Sequence, residues 1–425
     1  MNISKLLAFL LTMIVISSCD KSKNTVKNII DFTPKLQKEA DEQNLSVDPA
    51  LQVDHWSGGD FVNTLPSNFA LHDWDGNFAK SSMTLAGNIV AAPVIKDDLL
   101  FALDSKNNII CYDLKQQSMQ WRTNLNLAPD KVEVFWGGVT LFEDKLYVTN
   151  NSQELIILEA STGYQLSRVK LGDILLNPVT VDAEHIYLLT ASNQIVTLRK
   201  NDLSVLWQAS GAQSSLSLSQ QSLTQPIALD QGILIPMYSG QLIYSNKDNG
   251  QPNWQASLSG GQAELSDLSP ANLSSQIIVD SKAIFVPSSL GLLVKIDLRN
   301  AEEIWRRDIS DILAINKFSR LVVATTNAQE IAGISSRTGQ VLWVVNLAQE
   351  GKGYKNPYNL LTPLMINDNI YIFSSKGQLY KISIDGIVLE QYKIPAEVKF
   401  YAVNKQDIYL FTGRGIWKNK HLKAK

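Results

Sequence analysis

The side chains best able to do chemistry are few and scattered through the 425 residues. Four histidines occur, His55, His72, His185 and His421, and no two of them stand at the spacing of a zinc site. The two cysteines, Cys19 and Cys111, lie far apart. The chain has no Gly-x-Ser-x-Gly elbow, no phosphate-cradling Walker loop and no Gly-x-Gly-x-x-Gly turn, so acyl transfer, phosphoryl transfer and dinucleotide chemistry lack their local signatures. A site assembled from distant segments would escape such a scan. A formal net charge of −3 speaks against a nucleic-acid partner. With 45% hydrophobic and 19% charged residues the chain can fill a large core. No metal, cofactor or catalytic residue is expected from these features.

The N-terminus reads as an address. Lys5 is a positive n-region, and Leu6–Ile16 is an apolar run too short to span a bilayer, which needs about 20 such residues. Ile16-Ser17-Ser18-Cys19 resembles a bacterial lipobox, which makes 1–18 a lipoprotein signal peptide and Cys19 the lipid attachment site. The alternative is an ordinary secretory signal with an incidental cysteine. With Cys19 acylated, Cys111 is left without an internal partner, and Ile109-Ile110-Cys111-Tyr112 places it as a small core residue. Residues 19–68 are polar and lack an apolar face, as in DKSKNTVKN and QKEADEQ. They read as a flexible tether, and a coil of ~40 residues averages about 35 Å end to end. Residues 418–425, with Lys418, Lys420, Lys423 and Lys425, read as a solvated basic tail.

Whatever function exists must be carried by the repeat between. Pro178 to Trp207 shows the unit: Val179–Val181, Ile186–Thr190, Gln194–Leu198 and Val205–Trp207 are short strand-like runs separated by Asx, Gly and Ser turns. One four-stranded sheet of this size cannot bury its faces in water, so copies are required. A Trp stands eight residues after a polar position at Asp113–Trp121, Arg199–Trp207, Asn246–Trp254, Asp297–Trp305 and Ser335–Trp343. The second copy has Ser167 in the slot, and the seventh, Ser383–Gln391, lacks the Trp and is one residue short. Slot spacing runs from 38 residues (Trp305 to Trp343) to 51 (Trp254 to Trp305), a propeller period. No repeat carries helical apolar spacing over ten residues. The expected fold is all-β: an eight-bladed β-propeller of four-stranded antiparallel blades over 69–417. Strands from both termini close its last blade, Phe400–Ala402 and Ile408–Thr412 from one and the Phe69–Leu85 region from the other. Trp121, Trp207, Trp254, Trp305 and Trp343 are structural blade residues, whereas Trp136, in Phe135-Trp136-Gly137-Gly138, falls in an inter-blade link and is open to exposure.

The slot pattern Asp-x-x-Thr-Gly-x-x-x-Trp resembles the quinoprotein (PQQ-like) propeller repeat over about 93–417. In that superfamily the Trp packs between neighbouring blades. Enzymes there hold a quinone over calcium with a vicinal cysteine pair, and this chain has no Cys-Cys. Lipobox, tether and eight bare blades together are similar to the BamB family, propeller lipoproteins of the outer-membrane β-barrel assembly (BAM) machinery. Ser215-Leu216-Ser217-Leu218-Ser219 is similar to that family's contact loop for the barrel protein BamA, with Ser219 where the family has Arg. Leu265-Ser266-Asp267 matches one of two aspartates of a second contact loop. Trp305-Arg306-Arg307-Asp308, with Ile315 and Arg320–Val323, follows the family's short connection between blades five and six.

The resemblance thus implies a non-enzymatic scaffold at the periplasmic face of the outer membrane. It would bind BamA and other BAM components through Leu216, Leu218, Ser219 and Asp267, and act on unfolded β-barrel substrates. Asp20, directly after Cys19, leaves retention in the inner membrane open. Read without the resemblance, Leu216 and Leu218 are equally alternate residues of an edge strand, and Asp267 a loop residue. The rivals are a PQQ-dependent dehydrogenase-like enzyme and a ligand-binding periplasmic propeller.

Overall fold

The computed structural model describes residues 55–56, 68–71, 74–83, 85, 87–127, 133–211, 225–257, 276–288, 291–347, 358–404, 407–413 and 415–421, all within one unit, Leu36–Lys425. Every regular element among them is a strand, and the strands form eight antiparallel sheets. Blade one runs Val94–Lys96, Leu99–Leu103, Asn108–Asp113 and Ser118–Asn124 from inner to outer strand; blade two runs Gly138–Phe142, Lys145–Thr149, Glu154–Glu159 and Gln165–Lys170. Blade three is Thr180–Val181, His185–Leu189, Gln194–Arg199 and Val205–Ser210, and blade four Ile227–Leu229, Gly232–Pro236, Gln241–Ser245 and Pro252–Ser257. Blades five, six and seven repeat the order over Ile278–Asp308, Ile312–Asn346 and Leu364–Lys393.

Blade eight is the closure. Val398–Asn404, Asp407–Thr412 and Gly415–His421 come from the C-terminal end, and Trp74–Lys80 supplies the outermost strand. The eight-bladed propeller closed from both ends is therefore as the repeat predicts.

The inner strands read as continuous apolar runs because each blade is covered on both faces by its neighbours. His185–Leu189 is buried at all five positions, whereas Val205–Ser210 is half-buried or exposed throughout. Buried apolar residues gather in clusters that each span neighbouring blades. Ile186 and Leu198 of blade three pack with Leu155 and Ile157 of blade two, and Tyr187 and Ile195 pack with Ile233 and Ile235 of blade four. The core is thus a ring of inter-blade layers, and no blade has one of its own. One cluster joins blades seven, eight and one; within it the Phe373 ring lies 6.1 Å from Phe78 and 5.2 Å from Tyr401.

Two boundaries differ from the sequence expectation. His55–Trp56, inside the expected tether, pairs with Ile95–Lys96 as a fifth strand on the inner edge of blade one. Residues 418–421, expected as tail, belong to the outer region of blade eight: Lys418 pairs with Tyr409 and Ala79, and its ammonium lies 2.8 Å from Asp407. A two-residue strand carries no periodicity, and an outer strand with one wet face tolerates the lysines that make it read as a tail.

Candidate functional site

A β-bulge organises each Trp slot. In blade three, Thr197 faces Trp207 and Leu198 faces Val205, so one extra residue precedes the Trp. The same shift precedes Trp121, Trp254, Trp305 and Trp343. A bulge re-aims the side chain that follows, here towards the next blade. Trp207 Nε1–H donates to the Lys247 carbonyl at 2.7 Å. Trp121, Trp254, Trp305 and Trp343 donate likewise to Ala160, Leu298, Ser336 and Ile384. The receiving turn must then come very close to the ring. A Cβ on Gly250, whose φ is +70°, would stand 2.6 Å from Trp207, so only glycine fits. Blade seven places Glu390 in the slot, one residue early, and there the Tyr392 ring packs against Gly76 of blade eight instead.

Blade geometry divides the connections between two faces. Links from an outer strand to the next inner strand share one face with the turns between second and third strands. The remaining turns share the opposite face. On the link face, between blades one and two, Leu127, Phe135 and Trp136 are 57%, 63% and 44% exposed. Leu216, Leu218 and Ser219 fall in the link between blades three and four, and Asp267 in the link between blades four and five; all four lie outside the described residues, as does Cys19. The connection between blades five and six is short, from Asp308 to Ile312.

The opposite face carries a constellation that sequence spacing could not show. Asp182 Oδ1 accepts the backbone N–H groups of Glu184 at 3.0 Å and His185 at 2.8 Å, closing the tight turn into His185–Leu189. Its Oδ2 accepts the Tyr187 hydroxyl at 3.0 Å and lies 3.0 Å from Lys247 Nζ. Burial pushes the Asp182 carboxyl up, but those backbone N–H groups and Lys247 outweigh it and hold it below its ordinary value. Burial, with the Asp182 charge, pushes the Tyr187 phenol up, so its proton stays on. His185 stands between, with Nδ1 3.2 Å from the Tyr187 hydroxyl and Nε2 3.6 Å from Asp248 Oδ1 of blade four. Glu184, His185 and Asp248 bring ligand-capable atoms within 4.8 Å of one another. Together with Asp182, Asp230 and Lys247 they line a pocket of about 290 Å³. Spacing along the chain singles out neither His185 nor Asp248, since the two meet only when blades three and four stack.

A quinone site is not supported by the donor set. Cys111, the cysteine within the ring, is buried, and burial pushes its thiol up to about 12. No neighbouring cysteine exists in the sequence to form the vicinal pair that the superfamily's enzymes use.

A family model described as outer membrane protein assembly factor BamB matches residues 120–345, more than half of the chain. An uncharacterised protein of Rickettsia prowazekii is 26% identical over 97% of this chain and 98% of its own length. Among solved structures, BamB of Moraxella catarrhalis superposes with a TM-score of 0.64 at 18% identity, covering 82% of this chain and 99% of that one. The quinohemoprotein alcohol dehydrogenase of Comamonas testosteroni gives the same TM-score, 0.64, at 11% identity over 88% and 82%. At such identities both likenesses describe the fold.

Proposed function

We propose a role whose premise is kinship: the chain belongs to the outer membrane protein assembly factor BamB family of PQQ-like propeller repeats, and it acts as a non-enzymatic scaffold in outer-membrane protein assembly. In this reading Cys19 carries the lipid and residues 19–54 let the ring stand off the periplasmic face of the outer membrane. The link face docks on a BamA-like barrel protein, with Leu216, Leu218, Ser219 and Asp267 in its contact loops. The observation that carries the reading is the exposure of Leu127, Phe135 and Trp136 on the face that also receives those two links. Large apolar side chains held in water on a rigid ring are the material of an interface centre. Binding, and not bond chemistry, would then be the function, consistent with the single buried cysteine and the absence of a Cys-Cys pair in the sequence.

A mild-detergent pull-down of the full chain from its own envelope tests this, run beside Leu216→Asp/Leu218→Asp and Trp136→Asp. Recovery of the barrel-assembly protein by the parent chain, lost at least tenfold in the first variant, is the expected result. Equal recovery by all three chains would remove the link face from the interface while keeping the role. Recovery by none would end the assembly reading.

A further inference from the structure

We propose that the pocket between blades three and four binds a divalent transition-metal ion of the zinc class, with His185, Glu184 and Asp248 as protein ligands. The site lies on the face opposite the proposed docking links, so it stands or falls apart from that reading.

The first support is the state of the imidazole. His185 is 6% exposed, and a chain of hydrogen bonds orients it from behind. The Asp182 carboxylate accepts the Tyr187 proton, so the Tyr187 oxygen is left to accept from His185 Nδ1, 3.2 Å away. That arrangement favours the Nδ1–H tautomer, with Nε2 facing the pocket 3.6 Å from the Asp248 carboxylate, which offers it no hydrogen-bond donor. A carboxylate-anchored network behind a histidine is the usual outer support of a metal ligand.

The second support is charge. Four carboxylates line the pocket, Asp182, Glu184, Asp230 and Asp248, against one ammonium, Lys247, which Asp182 holds at 3.0 Å. The remaining field favours a cation. One imidazole nitrogen and two carboxylates suit a borderline metal such as Zn²⁺ better than Ca²⁺ or Mg²⁺, which take oxygen ligands. Three protein ligands leave a fourth position for water. The third support is rigidity on both sides. The Asp182 turn fixes Glu184 and His185, while Asn246 Oδ1 accepts the Asp248 N–H at 2.8 Å and Trp207 holds the Lys247 carbonyl. A blade lock thereby also places a metal ligand.

The test uses the full chain, free of any histidine tag and stripped with chelator, titrated with Zn²⁺ by calorimetry and with Co²⁺ by visible absorption. One equivalent should bind and give ligand-field bands. Asp248→Asn, at a side chain 76% exposed and harmless to folding, should weaken binding at least tenfold. His185→Gln should abolish the bands. Tyr187→Phe, which removes only the positioning hydroxyl, should weaken binding about 10- to 100-fold with the bands retained. Zn²⁺ should raise the melting temperature of the parent chain and not of Asp248→Asn. Absence of saturable binding, or binding unchanged in both His185→Gln and Asp248→Asn, would overturn the assignment; the unchanged case would place the metal at another histidine.

Discussion

The two seams that flank blade three solve one packing problem in opposite ways. Between blades three and four, Trp207 reaches across to the Lys247 carbonyl and lies against Gly250. Between blades two and three the slot holds Ser167, and the turn position that Gly250 occupies in blade four is taken by Leu203. The backbone frame is the same: Gly250 N–H donates to Asn246 O at 3.1 Å and Leu203 N–H to Arg199 O at 2.9 Å. Leu203 even keeps the left-handed conformation, φ +61°, at the strain cost a non-glycine residue carries there. Its side chain packs against the buried apolar cluster that joins blades two and three. Opposite Trp121, Trp207, Trp305 and Trp343 the turn gives up its side chain for glycine. Opposite Trp254 it keeps only the Ala301 methyl, again with positive φ. Where the ring is absent a larger side chain takes the space. Polar contacts supplement the Trp-less seam. Asp173, in the link entering blade three, accepts the Ser192 N–H at 3.0 Å, and Thr140 donates to the Val179 carbonyl at 2.6 Å.

The largest effect is expected at the Trp seam. Trp207→Ala should cost about 3 kcal/mol, the lower end for a large aromatic since the ring is half-buried, measured as a shift in the urea midpoint. If the cost stays under about 1 kcal/mol, the ring does not hold the seam. The converse substitution sharpens the comparison. Ser167→Trp alone should destabilise by about 1–3 kcal/mol through overpacking against Leu203. With Leu203→Gly added, the pair should recover at least about 1 kcal/mol of that as coupling. Simple additivity in the cycle would mean that the two positions do not share one space. The smallest effect concerns acid. Burial pushes the Asp173 carboxyl up, but the Thr190 hydroxyl and the Ser192 and Ile174 N–H groups hold it below its ordinary 3.8. A lowered folded-state value stabilises above the unfolded carboxylate's range and loses that contribution as pH falls through the folded value. Asp173→Asn should therefore lower stability at neutral pH and flatten the acid limb of the stability curve below about pH 4. An unaltered acid limb would show that other carboxylates set it.

Blade three was legible almost strand by strand. Ile186–Thr190 and Gln194–Leu198 differ by a residue from His185–Leu189 and Gln194–Arg199, because turn residues and β-branched runs are local signals. Closure by the Phe69–Leu85 region was legible from the count of blades, which left the last one to be completed from both termini and its edge to be covered. His55–Trp56 was not, since two residues offer no period, and Lys418–His421 was not, since lysines suit both a tail and an outer strand.

Local pattern along the chain settled the kind of structure: the repeat, the number of blades and the Trp slots. Those properties follow from hydrogen bonding and sterics within a few residues, or from a period that repeats them. Tertiary structure alone decided which side chains share a pocket. His185 and Asp248 belong to different sheets, and each reads locally as a turn residue. Only the stacking of blade four on blade three, driven by apolar burial between them, brings a buried imidazole nitrogen to a carboxylate it never approaches along the chain.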